Sequence, residues 1–115
     1  MELNFKKSPD GLLPAIVQDA KTLAILMQGY MNQEAFEKTL KTGRVHFFSR
    51  SQGKLWLKGE TSGDFLKLVE IYTDCDQDAI LVKAVQKGKA TCHTGRISCF
   101  HYKWSKKIND WELEA

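Results

Sequence analysis

The sequence predicts an α+β fold, a mainly antiparallel β-sheet with one clear helix. Short apolar–polar alternations recur along most of the chain, and turn-forming residues separate them at close intervals. One segment alone carries both a start and a stop signal for a helix. Strands joined by short turns favour antiparallel pairing.

Pro9-Asp10-Gly11 signals a turn, and Pro14 follows soon after. Residues 16–19 and 22–28 read as two short strands around a turn near Asp19-Ala20-Lys21. Asn32 is the expected N-cap of a helix over 33–41, with Glu34 in its first turn and Gly43 past its end. Ala35, Phe36, Thr39 and Leu40 would form its inner face. Residues 45–49 are a strand, and Ser51-Gln52-Gly53 turns into a second over 54–58. Residues 59–64 are a polar loop with two glycines. Alternation makes 65–73 and 79–86 strands, with Lys87-Gly88-Lys89 as the turn that follows. A last core strand is expected over 97–104, then a polar tail over 106–115 with one anchor, Trp111.

At 115 residues the chain predicts one domain over 1–115, with room for one modest core. Apolar content of 43% and charged content of 27% are those of an ordinary globular protein. No apolar run reaches the roughly 18 residues of a membrane span, so no membrane partner is expected. Met1-Glu2-Leu3-Asn4-Phe5-Lys6-Lys7 lacks the apolar stretch of a signal peptide, which points to the cytoplasm. Three cysteines cannot all pair, and a reducing compartment disfavours disulfides, leaving metal binding or burial. The net charge is +3, and the basic residues are spread out apart from Lys103, Lys106 and Lys107. Without a basic stripe interleaved with aromatics, no nucleic-acid partner is expected; a small anionic substrate fits the charge.

The chemistry concentrates in Thr73-Asp74-Cys75-Asp76-Gln77-Asp78 and Cys92-His93-Thr94-Gly95-Arg96-Ile97-Ser98-Cys99. On an extended chain Asp74, Asp76 and Asp78 would face one way. A divalent cation would remove their repulsion. Mg²⁺ suits, because it accepts a few carboxylates and keeps waters for substrate phosphate. The plainer alternative is a solvated acidic loop. An EF-hand is excluded: Ala79 stands where its glycine is needed and Val85 where its glutamate is needed.

Cys75, Cys92 and Cys99 form no C-x₂-C pair, so the spacing is not that of a zinc ribbon or finger. Each alone reads as a small buried hydrophobe. Three in a short window, beside His93, read better as Zn²⁺ ligands. Thr94-Gly95 offers the reversal that brings Cys92 and Cys99 to one ion. Three thiolates leave a fourth tetrahedral position for water, the catalytic pattern. If residues 74–78 are extended, Cys75 faces away from the aspartates. It could then meet Cys92 and Cys99 of a second subunit, which places a zinc site across a homodimer interface.

His93 has three open roles: orienting a neighbouring ligand, acid–base work, or direct ligation. His46 and His101 sit on alternating patterns and read as structural. Trp56-Leu57-Lys58-Gly59-Glu60-Thr61-Ser62-Gly63 is either a hairpin end or an anion cradle of glycines, hydroxyls and a cation. Arg50 and Arg96 could add bidentate phosphate contacts.

Four blocks now stand in order: Phe48-Ser49-Arg50-Ser51, Trp56 to Gly63, Asp74-Cys75-Asp76-Gln77-Asp78-Ala79, and Cys92 to Phe100. Together, over about 13–102, they resemble phosphoribosyl-AMP cyclohydrolase of histidine biosynthesis. The resemblance implies an intertwined homodimer dependent on Zn²⁺ and Mg²⁺. It implies hydrolysis of the N1–C6 bond of the adenine ring of phosphoribosyl-AMP, giving the formimino-AICAR ribotide. Asp74, Asp76 and Asp78 would bind Mg²⁺; Cys92 and Cys99 would bind Zn²⁺ with Cys75 of the other subunit. In many bacteria the family's chain continues into a pyrophosphohydrolase domain, which is not expected here. The implied chemistry is attack of a zinc-activated water on C6. His93 would shuttle the proton, with Glu60 in reserve. Arg50, Lys58, Thr61, Ser62 and Arg96 would hold substrate. Two other readings are a zinc purine deaminase, which would release ammonia, and a non-catalytic zinc-stabilised binding module.

Overall fold

The computed structural model describes residues 1–114; Ala115, the end of the expected tail, lies outside the described residues. A single 3₁₀ turn, Phe5–Lys7, precedes the first strand. Strand β1, Leu13–Asp19, buries Leu13, Ala15 and Val17 and turns Pro14 and Ile16 outward, as strict alternation requires. It starts earlier than expected because Pro14 fits there. Its ladder to the parallel neighbour begins one residue later, at Ala15, so no N–H is needed toward it at Pro14. Strand β2, Ile25–Met31, lies three residues beyond the predicted 22–28. The Asp19 carboxylate accepts the N–H groups of Lys21 and Thr22, both at 2.8 Å, and Leu23 is left-handed at φ 66°. The turn therefore consumes the residues up to Ala24.

Helix α1, Gln33–Thr42, forms as its caps predict. Asn32 accepts the Ala35 N–H at 2.8 Å, and Gly43 closes the helix at φ 73° with its N–H on Thr39 O. Ala35 and Thr39 are buried and Phe36 packs on the core, but Leu40 is 50% exposed, contrary to expectation. The face that meets β2 and the following hairpin is narrow, and Leu40 falls on its rim. Thr39 joins helix to sheet: its hydroxyl donates to Ala35 O and accepts the His46 N–H.

Strands β3, His46–Ser49, and β4, Lys54–Leu57, form a hairpin around Gly53. Strands β5, Leu66–Thr73, and β6, Ile80–Gln86, form another. The main sheet runs β2-β1-β6-β5, antiparallel except that β1 and β6 are parallel, so it is mixed. The burial pattern explains the order. Ile80, Val82 and Ala84 are all buried, so β6 takes a central slot; β5 buries only Leu66 fully and takes the edge.

The last stretch departs from the sequence reading. Residues 97–101 form no strand, so of the expected core strand over 97–104 only 102–104 are strand, and those are exposed, as are Ile97 and Phe100. Cys99 N–H and Ser98 Oγ instead donate to Leu26 O and Ile25 O, pinning the segment to β2 at two points. Strand β7, Tyr102–Ser105, pairs with β8, Asp110–Leu113, where a polar tail was expected. Trp104 and Trp111 face each other across this hairpin, edge to face at 5.4 Å between centroids.

The core is one cluster in which β1, β2 and β6 supply most of the side chains, with Ala35, Val45, Phe47 and Leu66 beside them. Gly29 on β2 leaves room for the ring of Phe47, which stacks on Trp56 at 5.2 Å. No helix among the described residues is long and apolar enough to cross a membrane.

Candidate metal centre

The β5–β6 connection holds all three aspartates. It is a turn, not extended chain, so the facing argument for residues 74–78 does not hold as made. The turn closes on one side chain. Asp74 Oδ1 accepts the N–H groups of Asp78 at 3.0 Å and Ala79 at 3.2 Å. Gln77 is left-handed at φ 59° and donates its N–H to Asp74 O. Curled in this way, Asp74, Asp76 and Asp78 still converge, with one carboxylate oxygen from each within 4.8 Å of the others. Asp74 and Asp76 are exposed and Asp78 is half-buried. A cation already sits among them: the Lys7 ammonium bonds Asp76 Oδ2 at 3.2 Å and also Asp78 Oδ2. These bonds, Asp78 first, raise its pKa above the usual lysine range. The donor set, all carboxylate oxygen and held around a positive charge, fits a hard divalent ion.

Cys92 and Cys99 are near enough for each thiol to shift the other's pKa. Gly95, at φ 89°, reverses the chain, and the Cys92 and Gly95 N–H groups close the turn on Arg96 O and Cys92 O. The Thr94 hydroxyl lies 3.1 Å from Cys92 Sγ, and its hydrogen bond does most to lower that thiol's pKa. Partial burial pushes Cys99 up to about 11, helped by its own hydrogen bond to Cys92. The two thiols therefore shift in opposite directions, Cys92 down and Cys99 up. Lys58 is close enough to lower both. Cys75 is exposed on the acidic turn, and no group of three ligands among the described residues joins it to the pair. Within one chain the thiol set has two members. Two soft donors fit Zn²⁺ in kind and fall short in number.

The remaining site residues are scattered around these two clusters. His93 is exposed beside Cys92, and Arg96 is exposed on the same turn. Glu60 lines an open pocket of about 340 Å³ with Ser49, Gln52 and Trp56. Thr61 and Ser62 are exposed on the loop after β4, where Ser62 Oγ accepts the Asp64 N–H. Arg50 is engaged elsewhere: its Nε donates to Asp10 Oδ2 at 3.0 Å and its guanidinium stacks 3.9 Å above Tyr30. His46 and His101 are structural, each bonded through Nδ1 to a nearby carbonyl.

Sequence reasoning missed three contributors. Lys7 is far from the aspartates along the chain, and no spacing marks it. Thr94 was read only as part of a turn. Asp64 ties two loops by accepting the Lys89 N–H at 2.7 Å, and a Cβ at Gly88 would fall 2.1 Å from the same oxygen. The glycine next to the lysine was the available signal.

Residues 27–101, from β2 to the segment before β7, match the family model described as phosphoribosyl-AMP cyclohydrolase. A phosphoribosyl-AMP cyclohydrolase of Desulfotalea psychrophila is 53% identical over 113 residues, 98% of this chain and 86% of that protein. One from Bacillus cereus is 57% identical over 103 residues, 90% of this chain and 98% of that protein. A histidine biosynthesis bifunctional protein HisIE of Staphylococcus epidermidis is 58% identical over 99 residues, 86% of this chain but 45% of its own length. The matched stretch contains the acidic turn, the thiol pair and the loop between β4 and β5, so likeness extends over every cluster described above. With more than half of its residues shared along nearly its whole length, this chain belongs to the phosphoribosyl-AMP cyclohydrolase family of hydrolases.

Proposed function

We propose that this chain hydrolyses the N1–C6 bond of the adenine ring of phosphoribosyl-AMP, with Zn²⁺ and Mg²⁺ as cofactors. The observation that carries this reading is the convergence of Asp74, Asp76 and Asp78 in a chain of this family. C6 gains the oxygen of water, the N1–C6 bond breaks, and N1 takes up a proton. Cys92 and Cys99 would hold Zn²⁺, whose chemistry in such a set is to acidify a water. Cys75 of a second copy would complete the set, which makes the working unit a homodimer. The separation of Cys75 from the other two thiols supports this. Asp74, Asp76 and Asp78 would hold Mg²⁺, which adds positive charge for a substrate phosphate.

The chain's own groups divide the remaining work. His93, beside Cys92 and open to solvent, would carry the proton toward N1. Glu60 is the reserve, in the pocket walled by Trp56. Lys58 would offset thiolate charge. Arg96, Thr61 and Ser62 are free to meet phosphate, whereas Arg50 must first leave Asp10.

The test is to add phosphoribosyl-AMP and follow ultraviolet absorbance, with and without a zinc chelator. Ring opening without ammonia, lost on chelation, is expected. Ammonia release would make the enzyme a deaminase, and no spectral change would remove the reading. For the dimer, Cys75→Ala and Cys92→Ala chains are co-expressed. Mixed dimers should regain one intact thiol set. Mixed dimers no more active than either mutant alone would refute the shared site.

A further inference from the structure

Asp76 and Asp78 share one ammonium, that of Lys7. The backbone seats it there. Lys7 ends the 3₁₀ turn Phe5–Lys7, and the N–H of the preceding cap residue, Asn4, donates to Gln77 O of the acidic turn at 2.8 Å. Phe5, inside that turn, packs against the core and lies 6.4 Å from the Phe36 ring. The segment is thus fixed at three points, and the neighbouring Lys6 makes no ion pair among the described residues. An ammonium offers only N–H donors and a single charge. Lys7 occupies Oδ2 of both Asp76 and Asp78, so a divalent cation that takes those oxygens must displace it.

We propose that Lys7 is the internal counter-ion of the acidic turn, seated where the divalent cation binds, so that cation binding must expel it. This rests on the magnesium reading above. Lys7 then has two effects. It holds the three-carboxylate turn together without metal, and it lowers the turn's affinity for the metal by competing for two of its ligands.

The test uses Mn²⁺, which accepts the same oxygen ligands, titrated into the metal-free full chain. The free ion is followed by electron paramagnetic resonance. Lys7→Met should bind Mn²⁺ about 3- to 10-fold more tightly than the parent, the range expected for loss of two exposed ion pairs. Lys7→Arg keeps the charge and should bind like the parent. Lys6→Met loses the same net charge at a site that touches no carboxylate, and should also bind like the parent. The rise in thermal midpoint on adding Mg²⁺ should be larger in Lys7→Met than in the parent. Parent-like affinity in Lys7→Met would overturn the proposal, as would an equal gain in Lys6→Met. Mn²⁺ binding that is absent from parent and Lys7→Met alike, or untouched by Asp76→Asn, would remove the magnesium reading itself and this proposal with it.

Discussion

Asp74 does two things that a pair of substitutions can separate. Its Oδ1 accepts the Asp78 and Ala79 N–H groups and so shapes the turn. Its charge joins those of Asp76 and Asp78 at a spacing within 4.8 Å. Asp74→Ala removes both. Loss of a side-chain acceptor for two backbone donors, in the manner of a lost helix cap, costs about 1–3 kcal/mol. For a chain of this size that is a fall in thermal midpoint of roughly 3–15 °C. Asp74→Asn keeps an oxygen in the same place and removes the charge. Repulsion between unit charges at 4.8 Å in water is about 0.9 kcal/mol per pair before screening by salt. The asparagine chain should therefore melt at or slightly above the parent when metal-free. Both variants should bind Mn²⁺ about tenfold or more weakly, having lost a carboxylate ligand. Thermal melts in chelator, then Mn²⁺ titration, measure the two roles in turn. If the asparagine chain melts as low as the alanine chain, the acceptor argument fails. If it binds Mn²⁺ like the parent, Asp74 is not a ligand.

Gly29→Ala would place a Cβ 2.6 Å from the ring of fully buried Phe47. It should cost about 1–3 kcal/mol in urea unfolding and shift the fluorescence of Trp56, which stacks on that ring. The N–H bonds that Thr22 and Lys21 give Asp19 lower its pKa below the usual 3.8. Its folded pKa is below its unfolded one, so the stability it adds is present above pH 3.8 and is lost as pH falls through the folded value. Asp19→Asn should flatten the acid limb of the stability profile by lowering stability above about pH 4 while leaving the acid end nearly unchanged; an unchanged limb would count against these bonds. Trp111→Ala removes one half of an edge-to-face pair from a two-stranded hairpin, which is marginal without support. Amide exchange over 102–113 should rise toward that of unfolded chain while β1 and β6 stay protected, and equal protection throughout would refute it.

The sequence made local chemistry legible and contacts across the chain illegible. Asn32 and Gly43 mark the helix because caps act within one turn of the chain. β5 and β6 are visible because alternation is a property of consecutive residues. The same alternation says nothing about which strand lies beside which, so the parallel pairing of β1 with β6 did not show. Tyr102, Trp104 and Ile97 illustrate a second limit. An apolar run predicts burial, but here the chain turns these side chains outward. The aspartates converge as expected and for a different reason. Period-two alternation suggested a shared strand face, whereas Asp74 curls the turn around its own carboxylate. Lys7 and Lys58 were beyond any spacing rule, since only tertiary structure brings them to the acidic turn and the thiols.

Those two lysines matter to how the proposed site could assemble. Each chain carries one cluster of carboxylates, beside Cys75, and one pair of thiols, Cys92 and Cys99. On the dimer reading, Cys75 of one copy must reach Cys92 and Cys99 of the other, and its neighbours Asp74 and Asp76 travel with it. Without positive charge, thiolates and carboxylates would meet with nothing to offset their repulsion. The fold places one ammonium at each cluster: Lys58 favours the ionised form of both thiols, although burial still holds Cys99 up, and Lys7 bridges Asp76 and Asp78. Each lysine has one charge where a divalent ion would bring two. On the dimer reading, Lys7 would leave two of the three carboxylate charges for a divalent ion to neutralise.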